Sequence, residues 1–156
     1  MQTVVPSSEL KDYIGKDLGH SDWFLIDQDR VNRFAEVTVD HQFIHVDEEK
    51  ARHTPFGGTI AHGFLTLSLL THLTEQCGLA PEGTIMGVNY GCDRVRFLQP
   101  VRVNQRVRVG VKPLSVIERG PGQFLIKSEV TMEIEGEEKP ALVAEWIALL
   151  FTAGAG

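Results

Sequence analysis

The sequence is poor in cysteine. Cys77 and Cys92 are the only two in 156 residues, and their separation matches no zinc-binding or redox motif. A chain of this length can bury enough surface to fold without a disulfide or metal staple. We therefore expect two idle thiols and a reducing, cytoplasmic setting.

Long apolar runs are also lacking. The two longest, residues 60–70 and 141–151, are too short to span a bilayer and are interrupted by His62 and Glu145. The first residues have neither the basic start nor the apolar stretch of a signal peptide. We expect a soluble protein with no membrane partner.

An excess of basic charge is missing as well. The 15 Lys and Arg residues face 21 Asp and Glu, a net charge of −6, which argues against general nucleic-acid binding. Six of the basic residues nevertheless lie between Arg94 and Ile117, where there is no acidic residue. Such a stretch suits a small phosphorylated ligand, and a solvated strand face would explain it equally well.

The sequence does contain a helical first half and a strand-rich second half, without repeats or linkers, so we expect one domain over residues 1–156. Asp27 is placed to cap a first helix, and Asp47 to cap a short one over residues 48–51. The apolar side of the first helix is predicted to hold Val31, Phe34, Ala35 and Val37. Residues 54–58, with one proline and two glycines, predict a loop.

The clearest helix covers residues 61–77. Its leucines and Phe64 point in nearly every direction, which is typical of a helix enclosed by other elements. Gly78 predicts its end. We therefore expect one long central helix.

The second half favours strands. Segments rich in valine and isoleucine cover residues 84–97, 106–118, 123–134 and 141–151. Their succession predicts an antiparallel meander, and a fifth strand is expected near residues 19–26. The predicted class is α+β, with a five-stranded sheet whose apolar face is covered by the helix over 61–77.

Asp40 and His45 are the first candidates for chemistry. Five residues place two side chains about 140° apart on a helix and on opposite faces of a strand. They converge only if the chain leaves the helix between them and turns. The spacing by itself does not distinguish a catalytic pair from two surface groups.

His62 and Gly63 lie in the first turn of the predicted central helix. Unpaired N–H groups and the positive end of the helix dipole favour an oxyanion there. A glycine at position 63 would let a substrate carbonyl approach the backbone. Close packing of helix against sheet would explain the same glycine.

Several motifs together resemble the MaoC-like dehydratases, a family that includes the (R)-specific enoyl-CoA hydratases. They are Phe34-Ala35, Thr38, Asp40, Ile44-His45-Val46-Asp47, Ala51, Pro55-Phe56-Gly57-Gly58 and Ile60-Ala61-His62-Gly63. The string from Val88-Asn89-Tyr90-Gly91 to Phe97, followed by Pro100-Val101, is similar to the branch related to nodulation protein N. The resemblance spans nearly the whole chain in the right order.

The resemblance implies a homodimeric hot-dog fold, in which the sheet wraps around one long helix. It implies water addition to trans-2-enoyl-CoA, giving (R)-3-hydroxyacyl-CoA, with no cofactor and with coenzyme A or acyl-carrier protein as the carrier. The strand that holds Val88-Asn89-Tyr90-Gly91 is expected to pair with its copy in the dimer.

The resemblance also implies roles for individual residues. Asp40 and His45 fall on the catalytic pair, and the Gly63 N–H falls on the oxyanion hole. The other predicted substrate-binding residues are Gln42, Ile60, Ala61, His62, Thr71 and Asn89. Two departures stand out: Val39 replaces the family's glycine, and Gln42-Phe43 replaces its usual Asn-Pro.

These residue types suit the reaction. A carboxylate and an imidazole that share one water can remove its proton during attack, with Asp40 as base and His45 orienting the water and relaying the proton. The residues alone leave these two roles interchangeable. Negative charge then develops on the thioester oxygen, where the Gly63 N–H stabilises it.

Coenzyme A phosphates give the basic stretch a purpose. Arg94 and Arg96 share one face of their strand, and Arg106 and Arg108 share a face of theirs. Either pair is a candidate for the nucleotide end. The alternative is that these arginines simply lie on strand faces exposed to solvent and bind no ligand.

Three other interpretations stay open. His41 and His45 have the spacing of metal ligands on a helix, but the helix end at Asp40 disfavours that geometry, and we expect no metal. A hot-dog acyl-CoA thioesterase would bind the same ligands and place its acid or base elsewhere. A non-catalytic acyl-thioester-binding subunit would keep the pair without turnover.

Overall fold

The computed structural model describes residues 1–153. Its helices are α1 (Gln28–Thr38), α2 (Phe43–Val46), α3 (Glu48–Ala51), α4 (Gly63–Ser68) and α5 (Leu70–Cys77), with a 3-10 helix over Ser7–Tyr13. Its strands are β1 (Thr3–Val5), β2 (Phe24–Leu25), β3 (Leu79–Pro81), β4 (Thr84–Phe97), β5 (Arg106–Gly120), β6 (Gln123–Ile134) and β7 (Leu142–Thr152).

Five strands form one antiparallel sheet in the order β2-β5-β6-β7-β4. The predicted meander is correct for β5, β6 and β7. It is wrong for β4, which pairs with β7 at the far edge. Residues 98–105 carry the chain from the edge strand β4 across to β5, which lies next to the opposite edge strand β2, and on the way Val101 accepts a hydrogen bond from the Ala61 N–H at 2.8 Å.

The predicted helix over 61–77 begins two residues later than expected and is irregular at Leu69, which separates α4 from α5. Helical hydrogen bonds still flank this residue, from Leu69 N to Leu65 O at 3.1 Å and from Leu73 N to Leu69 O at 3.0 Å. The helix ends at Gly78 as predicted. A Cβ there would lie 2.7 Å from the Thr74 carbonyl oxygen, so only glycine fits.

This helix is not enclosed on every side, contrary to the prediction. Leu70 and Leu73 are fully buried, whereas Phe64 is 68% exposed because only one side of the helix faces the sheet. The prediction for α1 also fails at Val37, which is exposed although Val31 and Ala35 are buried. Val37 comes two residues after Ala35, and two residues turn a helix by about 200°.

The core lies between this helix and the sheet. Val107, Val109 and Met132 alternate with more exposed neighbours on their strands and are fully buried. They pack with Leu70 and Leu73 in one cluster. Burying each such side chain stabilises the fold by about 1.5–3 kcal/mol. A sheet against one helix layer confirms the predicted α+β class.

Two peripheral regions differ from expectation. The strand expected near residues 19–26 is reduced to Phe24–Leu25, preceded by a single bridge from His20 to Gly110. A small parallel sheet joins β1 to β3, a pairing across more than 70 residues of sequence that local patterns do not reveal. Among the described residues, no helix has the length and apolar character needed to cross a membrane.

Candidate active site

Asp40 leaves α1 through an unusual backbone conformation. The helix ends at Thr38, and Val39 takes the left-handed conformation with φ 59°. The Asp40 N–H then bonds to the Ala35 carbonyl at 3.1 Å, which closes the helix end. The helix thus ends before Asp40, and the chain turns and re-enters a helix at Phe43, which meets the condition for Asp40 and His45 to converge.

His45 is buried and fixed. Its Nδ1 lies 2.7 Å from the Ile60 carbonyl oxygen, which can only accept, so Nδ1 donates and Nε2 is left as a free acceptor. Burial lowers the pKa of His45 from its usual value, and this effect exceeds the opposing hydrogen bond to Ile60. The ring is therefore neutral at pH 7.

A polar network supports the backbone around His45. The Gln28 amide donates to the His45 carbonyl at 2.8 Å, and the Thr59 hydroxyl donates to the Gln28 amide oxygen at 2.6 Å. The Ile60 N–H bonds to the Ile44 carbonyl at 3.0 Å. Gln28 and Thr59 were not among the predicted site residues, because nothing in their local sequence patterns shows that these segments meet.

Asp40 is held more loosely. Its side chain is 52% exposed, and its carboxylate accepts one long hydrogen bond, 3.4 Å from the Gln42 N–H. Its other carboxylate oxygen lies 4.0 Å from Nε2 of His62. The predicted contact residue Gln42 therefore supports Asp40 through its backbone.

His62 lies behind the pair. It is 3% exposed, and its ring stacks on that of His45 with 3.8 Å between centroids. Its Nε2 lies 3.0 Å from the Asp40 carbonyl oxygen. The predicted substrate-binding residues Ile60 and Ala61 are also buried, and both are tied through their backbones to neighbouring segments.

The three side chains converge. One oxygen of Asp40 and one nitrogen each of His45 and His62 lie within 4.8 Å of one another. Two acceptors that each lie about 2.8 Å from one water, near the tetrahedral angle, are about 4.6 Å apart. An Asp40 oxygen and a His45 nitrogen that lie within 4.8 Å are therefore close enough for the two side chains to share a single water molecule.

The same cluster has the donor types of a metal site, but its ring geometry does not favour one. The planes of His45 and His62 are stacked 25° apart. Nitrogen lone pairs lie in the ring planes, so they run nearly parallel instead of converging on a tetrahedral ion. One nitrogen of each ring also faces a backbone carbonyl.

Gly63 is the first residue of α4. The first intrahelical bond runs from Thr66 N to His62 O at 3.2 Å, so the Gly63 N–H has no partner within the helix. A Cβ at position 63 would lie 3.2 Å from the Phe97 ring. The glycine thus has a packing reason in addition to the predicted role in an oxyanion hole.

Thr71 and Asn89 occupy a separate groove between α5 and the sheet. The Asn89 amide donates to the Thr71 hydroxyl at 3.1 Å. The groove has a volume of about 130 Å³, and its sheet side is apolar, with Val88, Trp146 and Leu150 among its lining residues. Its lining does not include the Asp40 and His45 cluster.

The four predicted phosphate-binding arginines differ in their surroundings. Arg106 lies 3.3 Å from Glu135, and Arg108 lies 2.7 Å from Glu133 and over the Trp23 ring. Arg94 is 80% exposed and 3.7 Å from Glu145. Arg96 donates to the Val95 carbonyl. The pair on β4 is therefore the more available of the two.

Comparison with known proteins gives a consistent result. The MaoC-like domain family matches residues 9–133. Nodulation protein N of Rhizobium leguminosarum bv. viciae is 50% identical over 139 residues, which cover 88% of this chain and 86% of that protein. The 3-hydroxyacyl-thioester dehydratase Z of Mycobacterium tuberculosis (strain ATCC 25618 / H37Rv) is 45% identical over 147 residues, covering 94% and 97%.

Solved structures agree on the fold. The (R)-hydratase from A. caviae involved in PHA biosynthesis superimposes with a TM-score of 0.69, covering 86% of this chain and 94% of that one at 23% identity. At this level of identity the likeness concerns architecture alone. It confirms the predicted hot-dog fold.

Proposed function

The chain belongs to the MaoC-like domain family, and from this membership we propose that it is an (R)-specific enoyl-CoA hydratase. The resemblance and the hydro-lyase class predicted from sequence are both confirmed. The proposal goes further and assigns reversible addition of water to trans-2-enoyl-CoA, with (R)-3-hydroxyacyl-CoA as the product.

The observation that carries the proposal is the pairing of Asp40 with His45. A carboxylate oxygen and a neutral imidazole lie within 4.8 Å of each other, and Nε2 of His45 is free to accept. A water molecule has two hydrogens to donate, one for each acceptor. Its oxygen lone pairs then face away from the pair, towards the position of a substrate.

The proposed reaction follows from this arrangement. As the water oxygen bonds to C3 of the enoyl-thioester, Asp40 takes one of its protons as general base. The C2–C3 double-bond electrons move to the thioester and form an enolate. Protonated Asp40 passes this proton to Nε2 of His45, which delivers it to C2 from the same face of the substrate. The hydroxyl and the hydrogen added thus both come from water, and both residues return to their starting protonation states.

The enolate needs stabilisation at the thioester oxygen. We assign this role to the Gly63 N–H, which has no partner within α4. Removing one such donor typically raises the barrier by about 3–4 kcal/mol.

The acyl chain is assigned to the groove between α5 and the sheet. The apolar lining, with Val88, Trp146 and Leu150, suits a hydrocarbon tail, and the predicted contact residues Thr71 and Asn89 lie there. Arg94 and Arg96 on the exposed strand β4 are the assigned partners of the coenzyme A phosphates. Arg94 is 80% exposed and 3.7 Å from its nearest carboxylate, whereas Arg106 and Arg108 form shorter ion pairs. The cytoplasm, where acyl-CoA is made and used, is the proposed location.

A homodimer completes the proposal. Strand β4 is the sheet's edge, and Ile85, Met86, Val88 and Tyr90 on it are all exposed. An exposed apolar edge strand of 14 residues invites pairing with a second copy. Light scattering is expected to give a dimer at micromolar concentration, and a monomer would remove this part of the proposal.

The direct test is to mix the pure protein with crotonyl-CoA and follow the enoyl-thioester ultraviolet absorbance. We expect the absorbance to fall and chiral analysis to give the (R)-3-hydroxy product. Release of free thiol with the double bond intact would identify a thioesterase instead. Binding of crotonyl-CoA without any turnover would identify a non-catalytic subunit.

A further inference from the structure

The His62 ring lies against two other rings. It stacks on the His45 ring with 3.8 Å between centroids, and the Phe34 ring lies 5.0 Å away, tilted by 53°. Phe34 belongs to α1 and His45 to α2. The imidazole of His62, which is 3% exposed, therefore contacts α2, which carries His45, and α1, which ends two residues before Asp40.

The hydrogen bonds of His62 define its tautomer. Its Nε2 lies 3.0 Å from the Asp40 carbonyl oxygen, which can only accept, so Nε2 carries the proton and donates. Its Nδ1 is buried and has no hydrogen-bond partner among residues 1–153. A bare acceptor there is less costly than an unpaired N–H on a buried cation. The neutral ring with its proton on Nε2 fits these contacts.

The His62 ring thus contacts both proposed catalytic residues. It fixes Asp40 through the main chain and His45 through the face of its imidazole. We propose that His62 is a positioning residue that holds Asp40 and His45 at the separation required to share one water. This inference rests on the proposed function. It replaces the predicted substrate contact, for which the buried ring of His62 is poorly placed.

Two substitutions separate the hydrogen bond from the stacking. His62→Gln keeps an N–H donor within reach of the Asp40 carbonyl, and His62→Phe keeps an aromatic ring but has no donor. We expect His62→Phe to lose about 100-fold in kcat with little change in KM, the usual cost of misplaced catalytic groups. His62→Gln keeps the donor to Asp40 and loses only the ring contact with His45, so it should lose clearly less kcat than His62→Phe. A purely structural packing role predicts the opposite order.

The matched control is His72→Gln on α5. The His72 ring packs edge-on against Phe24 at 5.5 Å, outside the site, so this variant should keep the wild-type kcat. Thermal unfolding shows whether each variant is folded at the assay temperature. If His62→Phe is not folded, His62→Leu, which also lacks a donor, takes its place.

A second readout is independent of turnover. The ¹⁵N chemical shift of the His41 amide senses hydrogen bonding to the preceding Asp40 carbonyl. It should move in His62→Phe and stay close to wild type in His62→Gln. If this pattern appears while wild-type protein leaves crotonyl-CoA unchanged, the proposed function fails and the positioning role stands. An unchanged His41 shift, or a wild-type kcat, in folded His62→Phe overturns the positioning role.

Discussion

The two members of the proposed catalytic pair are held in very different ways. His45 is 7% exposed, its ring is bonded to Ile60, and its main chain is bonded to Gln28. The Asp40 side chain is 52% exposed and accepts one long hydrogen bond. The fold therefore holds the His45 imidazole in place, whereas the Asp40 carboxylate gains its remaining contacts only when a substrate binds.

Apolar side chains near Asp40 in the sequence offer a surface for a bound substrate. Val39 and Phe43, which flank Asp40, are exposed apolar side chains. A substrate laid over them would exclude water from the carboxylate and strengthen its interactions, because electrostatic energies rise as the local dielectric constant falls. The contacts that fix His45 are thus supplied by the chain itself, and those that fix Asp40 are completed by substrate binding.

The largest expected effect is on turnover, where the two residues should behave alike. Asp40→Asn and His45→Gln each keep a hydrogen-bonding side chain but remove one of the two groups that can take up and release a proton. General acid–base groups contribute about 10²–10⁴-fold, so we expect each variant to lose about 10³-fold in kcat on crotonyl-CoA. A loss confined to one of the two would mean that the other does not take part.

The free energy of unfolding should distinguish His45 from Asp40. His45→Ala leaves the buried Ile60 carbonyl without its donor, so the free energy of unfolding should fall by about 1–3 kcal/mol. Asp40→Ala removes a half-exposed group with one weak contact and should change it by less than about 0.5 kcal/mol. Urea unfolding measures both. Equal losses would show that the two residues are held alike.

Val39 tests the backbone on the Asp40 side. A β-branched residue at φ 59° is strained by about 1–2 kcal/mol relative to glycine. Val39→Gly should therefore stabilise the protein by about 1 kcal/mol. The control is Val37→Gly, an equally exposed valine within α1, which should destabilise the protein slightly, by about 0.3–0.5 kcal/mol. A destabilised Val39→Gly variant would remove the strain argument.

The smallest expected effect is a displacement of the pH profile. Burial lowers the pKa of His45, and protonation of Nε2 removes the acceptor, so activity is lost as pH falls through the lowered value. The acid limb of kcat/KM should have its midpoint below the usual 6.5. Stability should also fall with pH from 6.5 downward, because the unfolded chain binds the extra proton more readily. An acid limb above 6.5 would show that His45 is not desolvated.

Much of the fold could be predicted because its signals are local. The bounds of β4 and β6 match the prediction, since alternation along a strand is written in consecutive residues. Asp27 and Asp47 cap α1 and α3 as predicted, because a cap involves residues only three apart. The partner of β4 could not be predicted this way, because strand pairing joins distant segments.

The candidate site likewise has one part that local sequence predicts and another that depends on distant segments. The turn that lets Asp40 approach His45 could be inferred from their spacing and from the resemblance. The stacking of His62 on His45 and the support by Gln28 depend on three separate segments meeting in the fold. No pattern within any one of these segments predicts that the three segments come together.

The central claim is that Asp40 and His45 act together on one water, and a double-variant cycle tests it most directly. Groups that act as a unit are strongly non-additive, since removing either already abolishes their joint effect. The account predicts that Asp40→Asn/His45→Gln has nearly the same kcat on crotonyl-CoA as either single variant. Losses that multiply in the double variant would contradict it.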